Sequence, residues 1–336
     1  MIASVGSGSR VGITGIGAYA PERVLTNADL AKMVETSDEW IVERTGIRQR
    51  HVAEPDQATS DVAVPAAREA LERAGVNPEE VDLVVVATAS PDMLFPASAS
   101  FVAEEIGAFN AAAYDLLAGC TGFVYALSQG YGAVACGLAK RALVVGSETL
   151  SKLMNWRDRT TCVLFGDGAG AVVLERVEDG GFLGFELGSD GSHGFDLCVP
   201  AGGSRTPASP ATIEQDLHYL QMNGREVYRL ATRAMVSSAE RLLAECDLTV
   251  DDVDVYVPHQ ANRRIIDHAV RQLGLAPEKV RLNVERYGNT SSASIPICLH
   301  EAAATGTLAA GQTVLMTAVG AGFTWGSALV VWGDRG

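Results

Sequence analysis

The sequence predicts a duplicated α/β protein with two mixed, mostly parallel sheets and helices on both faces. Apolar runs such as VDLVVVATA (81–89) and ALVVG (142–146) alternate with stretches of helical periodicity. Near-continuous apolar strands belong to sheets covered on both faces. Strand–helix alternation implies crossover connections. The second half also repeats the first at an offset of 172 residues. Glu79-Glu80-Val81-Asp82-Leu83 falls on Asp251-Asp252-Val253-Asp254-Val255, and Ala142-Leu143 falls on Val314-Leu315. A repeat this long is a duplicated α/β unit, since solenoid repeats are far shorter. A chain of 336 residues has room for two such units.

Residues 1–10 are small and polar and are expected to form a flexible tail. Residues 11–179 form the first half and 180–336 the second. Val11 to Ala20 is a glycine-punctuated strand. Its Gly15-x-Gly17 lacks the helix that a dinucleotide loop requires, because Pro21 follows. Asn27 caps a short helix over 28–35, and Ser37 or Asp38 caps a second. Asp61 to Ala74 is periodic and stops at Gly75. After the strand at 81–89 come a loop, Pro91 to Pro96, and a small-residue helix ending at Gly107. Ala111 to Leu117 is a strand that runs into Ala118-Gly119-Cys120-Thr121-Gly122. Phe123, Ala126, Leu127, Gly130 and Val134 mark the helix beyond. Leu164 to Leu174 holds a glycine cluster but continues into Val172-Val173-Leu174, which makes it a closely packed strand. Residues 188–215, rich in glycine, serine and proline, form a long irregular loop at the join of the halves.

Composition narrows the function. The 41 acidic against 26 basic residues leave a net charge of −15, which disfavours nucleic-acid binding. A local basic patch for an acidic partner remains compatible with it. Six scattered cysteines without C-x-x-C spacing argue against a disulfide framework or zinc site. Residues 1–10 show no leader pattern, and no apolar run reaches the ~18 residues of a membrane helix. A cytoplasmic protein without a membrane partner is expected.

Ligands of open α/β sheets bind at the carboxyl ends of strands. Three such ends carry reactive groups. Cys120 sits at a helix N-terminus, where unpaired N–H groups and the helix dipole favour the thiolate. Its flanking glycines let a carbonyl approach the backbone. A buried structural thiol is the competing reading of that turn. In the second half, Val253 to Val257 ends in Pro258-His259-Gln260-Ala261-Asn262, and Asn289 lies in Tyr287-Gly288-Asn289-Thr290-Ser291-Ser292. Singly, His259 reads as a loop cap and Asn289 as a turn residue. Jointly, a nucleophile, an imidazole and an amide at matching ends of a duplication point to one site. Gly320-Ala321-Gly322-Phe323 ends another strand, either as a plain tight turn or as a source of oxyanion-hole N–H groups. Trp40, near Arg44 and Arg48, either packs on the core or stacks on an adenine whose phosphates the arginines pair.

Several longer motifs occur together: TSDEWI (36–41), RTGI (44–47), FGDGAGA (165–171), PHQAN (258–262), GNTSSAS (288–294) and GFTWGSAL (322–329). On these the chain, from about Val11 to Trp332, resembles the β-ketoacyl-acyl-carrier-protein synthase III family, condensing enzymes that initiate type II fatty acid synthesis. The resemblance implies a thiolase-like fold of duplicated αβαβα layers and a homodimer. It implies acyl-CoA and malonyl-acyl-carrier protein as substrates, with no metal or redox cofactor. By position, Cys120 would be the acylated nucleophile, and His259 and Asn289 the pair that supports decarboxylation. The amides of Cys120 and Ala321 would form the oxyanion hole. Trp40 and Arg159 would sandwich the coenzyme A adenine, with Arg44, Asn262 and Gly224 along the rest of that ligand. Phe95 would be inserted by the partner subunit at the acyl pocket.

The chain departs from the family pattern near the nucleophile. Leu116 and Leu117 are bulkier than expected, and Thr121 stands where alanine is usual, so Leu117 and Thr121 bear on the acyl pocket. Ala321 replaces a glycine and keeps its N–H. Carrier proteins are acidic, so docking calls for a basic face. Arg264, His268 and Arg271 share one helix face, with Arg229 and Arg263 as neighbours, although the same pattern suits an ordinary solvated face. A polyketide or secondary-metabolite starter enzyme, or an acyltransferase of the same fold, is the alternative. A silent acyl-CoA-binding partner fits poorly with intact Cys120, His259 and Asn289.

Overall fold

The computed structural model describes residues 1–4 and 10–334. The first half runs β1 (Ile2–Ser4), β2 (Val11–Tyr19), β3 (Val24–Thr26), α1 (Asn27–Leu30), α2 (Asp38–Thr45), β4 (Gln49–His51), α3 (Thr59–Ala74), β5 (Leu83–Ala87), α4 (Ser98–Ile106), β6 (Ala112–Leu116), α5 (Gly122–Ala135), β7 (Arg141–Glu148) and β8 (Gly168–Arg176). The second runs β9 (Gly181–Ser189), β10 (Leu197–Cys198), α6 (Pro210–Glu214), β11 (Gln221–Met222), α7 (Gly224–Glu245), β12 (Val255–Pro258), α8 (Arg263–Leu273), α9 (Val284–Tyr287), α10 (Ser294–Ala304), β13 (Thr313–Gly320) and β14 (Thr324–Val331).

Two five-stranded sheets dominate, ordered β2-β8-β7-β5-β6 and β1-β9-β14-β13-β12. The duplication is visible element by element. Leu83 opens β5 and Val255 opens β12; Arg141 opens β7 and Thr313 opens β13; Gly122 opens α5 and Ser294 opens α10. Each pair lies 172 residues apart, the offset seen in the sequence. Both sheets are mixed. Parallel pairing joins β5 to β6 and β7, and β12 to β13, while β2–β8, β7–β8, β13–β14, β9–β14 and β1–β9 are antiparallel, so the sheets are mixed without being mostly parallel.

The apolar runs are buried twice over. In β5, Val85 and Ala87 face a central cluster with Phe123 and Leu127 of α5 and Ile295 and Leu299 of α10. Val84 and Val86 face outward onto α3 and α4. The second sheet does the same: Val257 and Met316 join the central cluster, and Tyr256 and Leu315 pack with residues of α7. The result is five layers, helix–sheet–helix–sheet–helix. Gly15-x-Gly17 serves this packing. A Cβ at either glycine would lie 2.2 Å from a carbonyl oxygen of α3, so only glycine lets the helix approach β2 this closely.

Some expectations are corrected. The start of the chain is not a loose tail: β1 pairs antiparallel with the edge of β9, and the Met1 ammonium donates to Leu187 O at 2.6 Å. An open sheet edge offers unpaired backbone groups, and these residues take them. Residues 5–9 of the expected tail lie outside the described residues. Thr26, rather than Asn27, caps α1, because Asn27 Oδ1 accepts from Arg50 Nη1 while its Nδ2 donates to Asp38 and Ile47 O. The strand expected from Leu164 begins at Gly168, since Leu164 and Gly166 bond instead to the Asn289 backbone. The irregular segment is partly ordered, with α6 and the β10–β11 ribbon within or beside it.

Leu127 is fully buried in the central layer, whereas Leu138 is exposed. Leu127→Ala should lower unfolding stability by about 2–5 kcal/mol, and Leu138→Ala by less than about 0.5 kcal/mol. Equal midpoints in urea titrations of the two variants would refute this account of the core.

Candidate active site

The turn 118–122, the end of β12, the turn before α10 and the end of β13 meet at one cavity of about 100 Å³. Cys120, His259 and Asn289 line it together with Asn262, Gly224 and Gly320. Its remaining wall is apolar, with Phe165, Leu197, Met222, Val319 and Phe323 among the residues that form it.

The Cys120 turn is pressed against the Ala321 turn, backbone to backbone. Gly119 has φ +55°, and a Cβ there would lie 2.8 Å from Ala321 N. A Cβ at Gly320 would lie 2.5 Å from Cys120 N. Two glycines therefore bring the Cys120 and Ala321 amides side by side. The Thr121 hydroxyl lies 2.5 Å from Ala118 O and 2.8 Å from Thr324 Oγ1, stitching the two turns together. Thr121 is buried behind the turn and is not among the cavity's lining residues.

The helix-end argument for a resting thiolate does not hold. Cys120 is half-buried at the cavity wall, and burial pushes its thiol up to about 12, with a Ser291 hydrogen bond opposing the shift and the Glu148 carboxyl adding to it. Cys120 also sits inside a short 3-10 turn, Gly119–Thr121, ahead of the first residue of α5. Burial thus favours the thiol over the thiolate at rest.

His259 is 1% exposed, and burial pushes it down to about 3, so it is a neutral imidazole. Its Nδ1 lies 2.6 Å from Ser294 Oγ, which already accepts from the Gln260 N–H at 3.3 Å. A serine hydroxyl donating to Nδ1 is the arrangement that leaves the imidazole proton on Nε2. Asn289 is pinned through its backbone: its N–H donates to Leu164 O at 2.9 Å, and its carbonyl accepts from Gly166 N–H at 3.0 Å. Asn289 Oδ1 accepts from the Ser291 N–H at 2.8 Å, which leaves Nδ2 as the free donor of that side chain.

The rim gathers the predicted coenzyme A residues. The guanidinium carbons of Arg44 and Arg159 lie 4.8 Å and 5.3 Å from the Trp40 ring centroid. Asn262 Nδ2 donates to Arg44 O at 3.1 Å, while Asn262 Oδ1 caps α8 by accepting from Arg264 N–H. Phe95 and Leu117 lie outside the cavity of a single chain, 84% and 74% exposed. Arg229 pairs with Glu226, Arg264 lies over Tyr228 at 5.7 Å, and Arg271 is exposed on the last turn of α8. Sequence reasoning missed Ser294, Phe165 and Phe323. FGDGAGA, GNTSSAS and GFTWGSAL contain all three, but no spacing rule ties them to His259 or Cys120. Among the described residues, no group of three or more His, Cys, Asp or Glu is placed to hold a metal ion, and no helix is long and apolar enough to cross a membrane.

A duplicated five-layer unit with a cysteine, an imidazole and an amide at its shared cavity is the architecture of thiolase-fold condensing enzymes. The family model for 3-oxoacyl-[acyl-carrier-protein] synthase III matches residues 114–191, and the model for its C-terminal region matches 243–332. The chain is 53% identical over 327 residues to β-ketoacyl-[acyl-carrier-protein] synthase III of Desulfitobacterium hafniense, covering 97% of this chain and 99% of the relative. It is 54% identical over 324 residues to the protein of that name in Symbiobacterium thermophilum, covering 96% and 98%. The crystal structure of the Thermus thermophilus synthase III superposes with a TM-score of 0.89 at 48% identity, over 96% of this chain and 99% of that one. The chain belongs to the β-ketoacyl-acyl-carrier-protein synthase III family.

Because the thiol is raised, alkylation of Cys120 by iodoacetamide should still be accelerating at pH 9, the ordinary thiol value. The thiolate fraction grows with pH until the raised value is passed. A rate that levels off near pH 7 would contradict the enclosed-thiol geometry.

Proposed function

We propose that the protein joins a short acyl group from acyl-CoA to malonyl-acyl-carrier protein by decarboxylative Claisen condensation, starting type II fatty acid synthesis. One observation carries the reading: the buried, neutral His259 imidazole and the Asn289 amide line the same cavity as Cys120. The halves 11–179 and 180–336 supply the nucleophile and the hydrogen-bond donors respectively.

In the first step the Cys120 sulfur attacks the thioester carbonyl. The amides of Cys120 and Ala321 hold the developing oxyanion. The carbon–sulfur bond to coenzyme A breaks, and the thiol proton leaves with coenzyme A. In the second step malonyl-carrier protein loses CO₂. His259 Nε2–H and Asn289 Nδ2–H donate to the enolate oxygen. Two neutral donors suit this step, because neither must take a proton for the carboxylate to leave. The carbanion then attacks the acyl-Cys120 carbonyl and releases the sulfur as a thiolate, which takes a proton from solvent to restore the thiol. No electron is gained or lost from outside, and coenzyme A enters as a substrate rather than a cofactor.

Adenine slides between Trp40 and Arg159, and the chain of the ligand passes Arg44, Asn262 and Gly224 toward Cys120. The protein works as a cytoplasmic homodimer. β6 is an edge strand, and the exposed Leu94, Phe95 and Leu117 lie beside it. A second copy covers this apolar edge and brings its Phe95 to the acyl pocket near Leu117. Arg229, Arg264 and Arg271 form the carrier-protein face on α7 and α8. Relatives about half identical to this chain carry the synthase III name, which favours fatty acid initiation over a polyketide starter role.

Intact-mass analysis with a panel of acyl-CoAs tests the chemistry. A mass gain should appear, vanish in Cys120→Ser and discharge on adding malonyl-carrier protein; no acylation by any short acyl-CoA would refute the reading. His259→Ala should keep acylation and lose decarboxylation by about 100-fold or more, the scale of one lost donor at a developing oxyanion. Arg264→Glu with Arg271→Glu should slow malonyl-carrier turnover about tenfold and spare self-acylation. Equal loss of both activities would remove the docking face.

A further inference from the structure

Behind the cavity wall lies a buried carboxyl with no assigned role. Glu148 ends β7 and is 0% exposed. Among the described residues it has no cationic partner within ion-pair distance. Neutral groups converge on it instead. The Ala89 N–H lies 3.2 and 3.1 Å from its two oxygens, Ser90 Oγ at 2.6 Å, Thr88 Oγ1 at 3.3 Å and Ser292 Oγ at 2.9 Å. Burial without a counter-charge pushes the carboxyl above its ordinary range.

These donors come from two segments. Residues 88–90 leave β5 toward Phe95. Ser292 belongs to the turn Ser291–Ala293, which begins two residues after Asn289. Ser292 Oγ also lies 2.8 Å from Ala87 O at the end of β5. Its one proton serves one of these acceptors at a time, and the Ser292 N–H also faces Glu148 Oε1 at 3.5 Å, so Ser292 of the second half is held between the ends of β5 and β7. Ser291 is held at φ +47°, an uncommon left-handed conformation for serine, and its N–H fixes Asn289 Oδ1. That conformation persists only where its surroundings over-determine it. The Glu148 contacts to the next residue are part of those surroundings.

We propose that Glu148 is a positioning residue for the decarboxylation step, clamping the turn 291–293 against β5 and β7 so that the Asn289 amide stays aimed into the cavity. Two carboxyl oxygens accept from both segments at once. Glutamine keeps one acceptor and turns an NH₂ toward groups that also donate, alanine keeps none, and aspartate keeps both oxygens on a shorter arm. The inference rests on the roles of Cys120 and Asn289 proposed above.

The test measures two rates on the full-length enzyme: self-acylation by acyl-CoA, and decarboxylation of malonyl-carrier protein at saturation. Glu148→Ala should lower the decarboxylation kcat at least tenfold with KM little changed, and leave self-acylation within about threefold. Glu148→Asp should recover most of the loss. Ser292→Ala cuts the clamp on the turn side and should show the same selective defect, which keeps the test open if Glu148→Ala does not fold. Parallel loss of both rates, or loss in step with the folded fraction, would overturn the inference. Asn289→Ala is the reference: if it decarboxylates normally, the proposed function fails on its own account, whatever Glu148 does.

Discussion

Two helices buried between two sheets set the position of everything at the cavity. The first six residues of α10 are all buried, and α5 presents Phe123, Leu127 and Val134 to the same cluster. A helix held this way cannot slide without opening a void in a close-packed core. Each of the two begins with a 3-10 turn, Gly119–Thr121 and Ser291–Ala293. Fixing the helices therefore fixes both turns, and with them Cys120 and the segment that carries Asn289. The reactive groups belong to mobile types of local structure, but their anchors lie in the most immobile layer of the protein.

One physical cause acts with opposite sign on the two titratable groups of the site. Enclosure disfavours charge, so it raises the Cys120 thiol and lowers the His259 imidazole. A thiolate–imidazolium pair is thereby disfavoured at rest. What remains is a neutral thiol beside neutral donors. Ser294 completes this arrangement by choosing the imidazole tautomer. Chemistry that develops charge on substrate oxygens then meets fixed N–H groups rather than solvent.

Much of this was legible in the sequence where a residue's neighbours in the chain decide its role. VDLVVVATA had to be a strand buried on both faces. The 172-residue offset located β12, β13 and α10 from β5, β7 and α5. The motifs around Cys120, His259 and Asn289 each pointed to a segment that lines the one cavity. The protonation state of Cys120 was not legible, because it follows from walls contributed by distant segments. Ser294, 35 residues beyond His259, escaped for the same reason. Thr121 looked like a pocket residue from its place beside the nucleophile, yet the helix turn carries its hydroxyl away toward Thr324. The pairing of β1 needed knowledge of an open edge on β9, which no property of residues 1–10 announces.

Duplication usually leaves two copies of a reactive position, and here the copies have diverged. Ser292 occupies in the second half the place that Cys120 occupies in the first, 172 residues earlier. It ties its hydroxyl to Glu148 and Ala87. A thiol at that position would be a poorer hydrogen-bonding link and a second sulfur beside the first, open to oxidation or to misdirected acylation. The ancestral symmetry has thus been resolved into a division of labour. In the function proposed above, one copy of the turn forms bonds with substrate and the other holds the frame still.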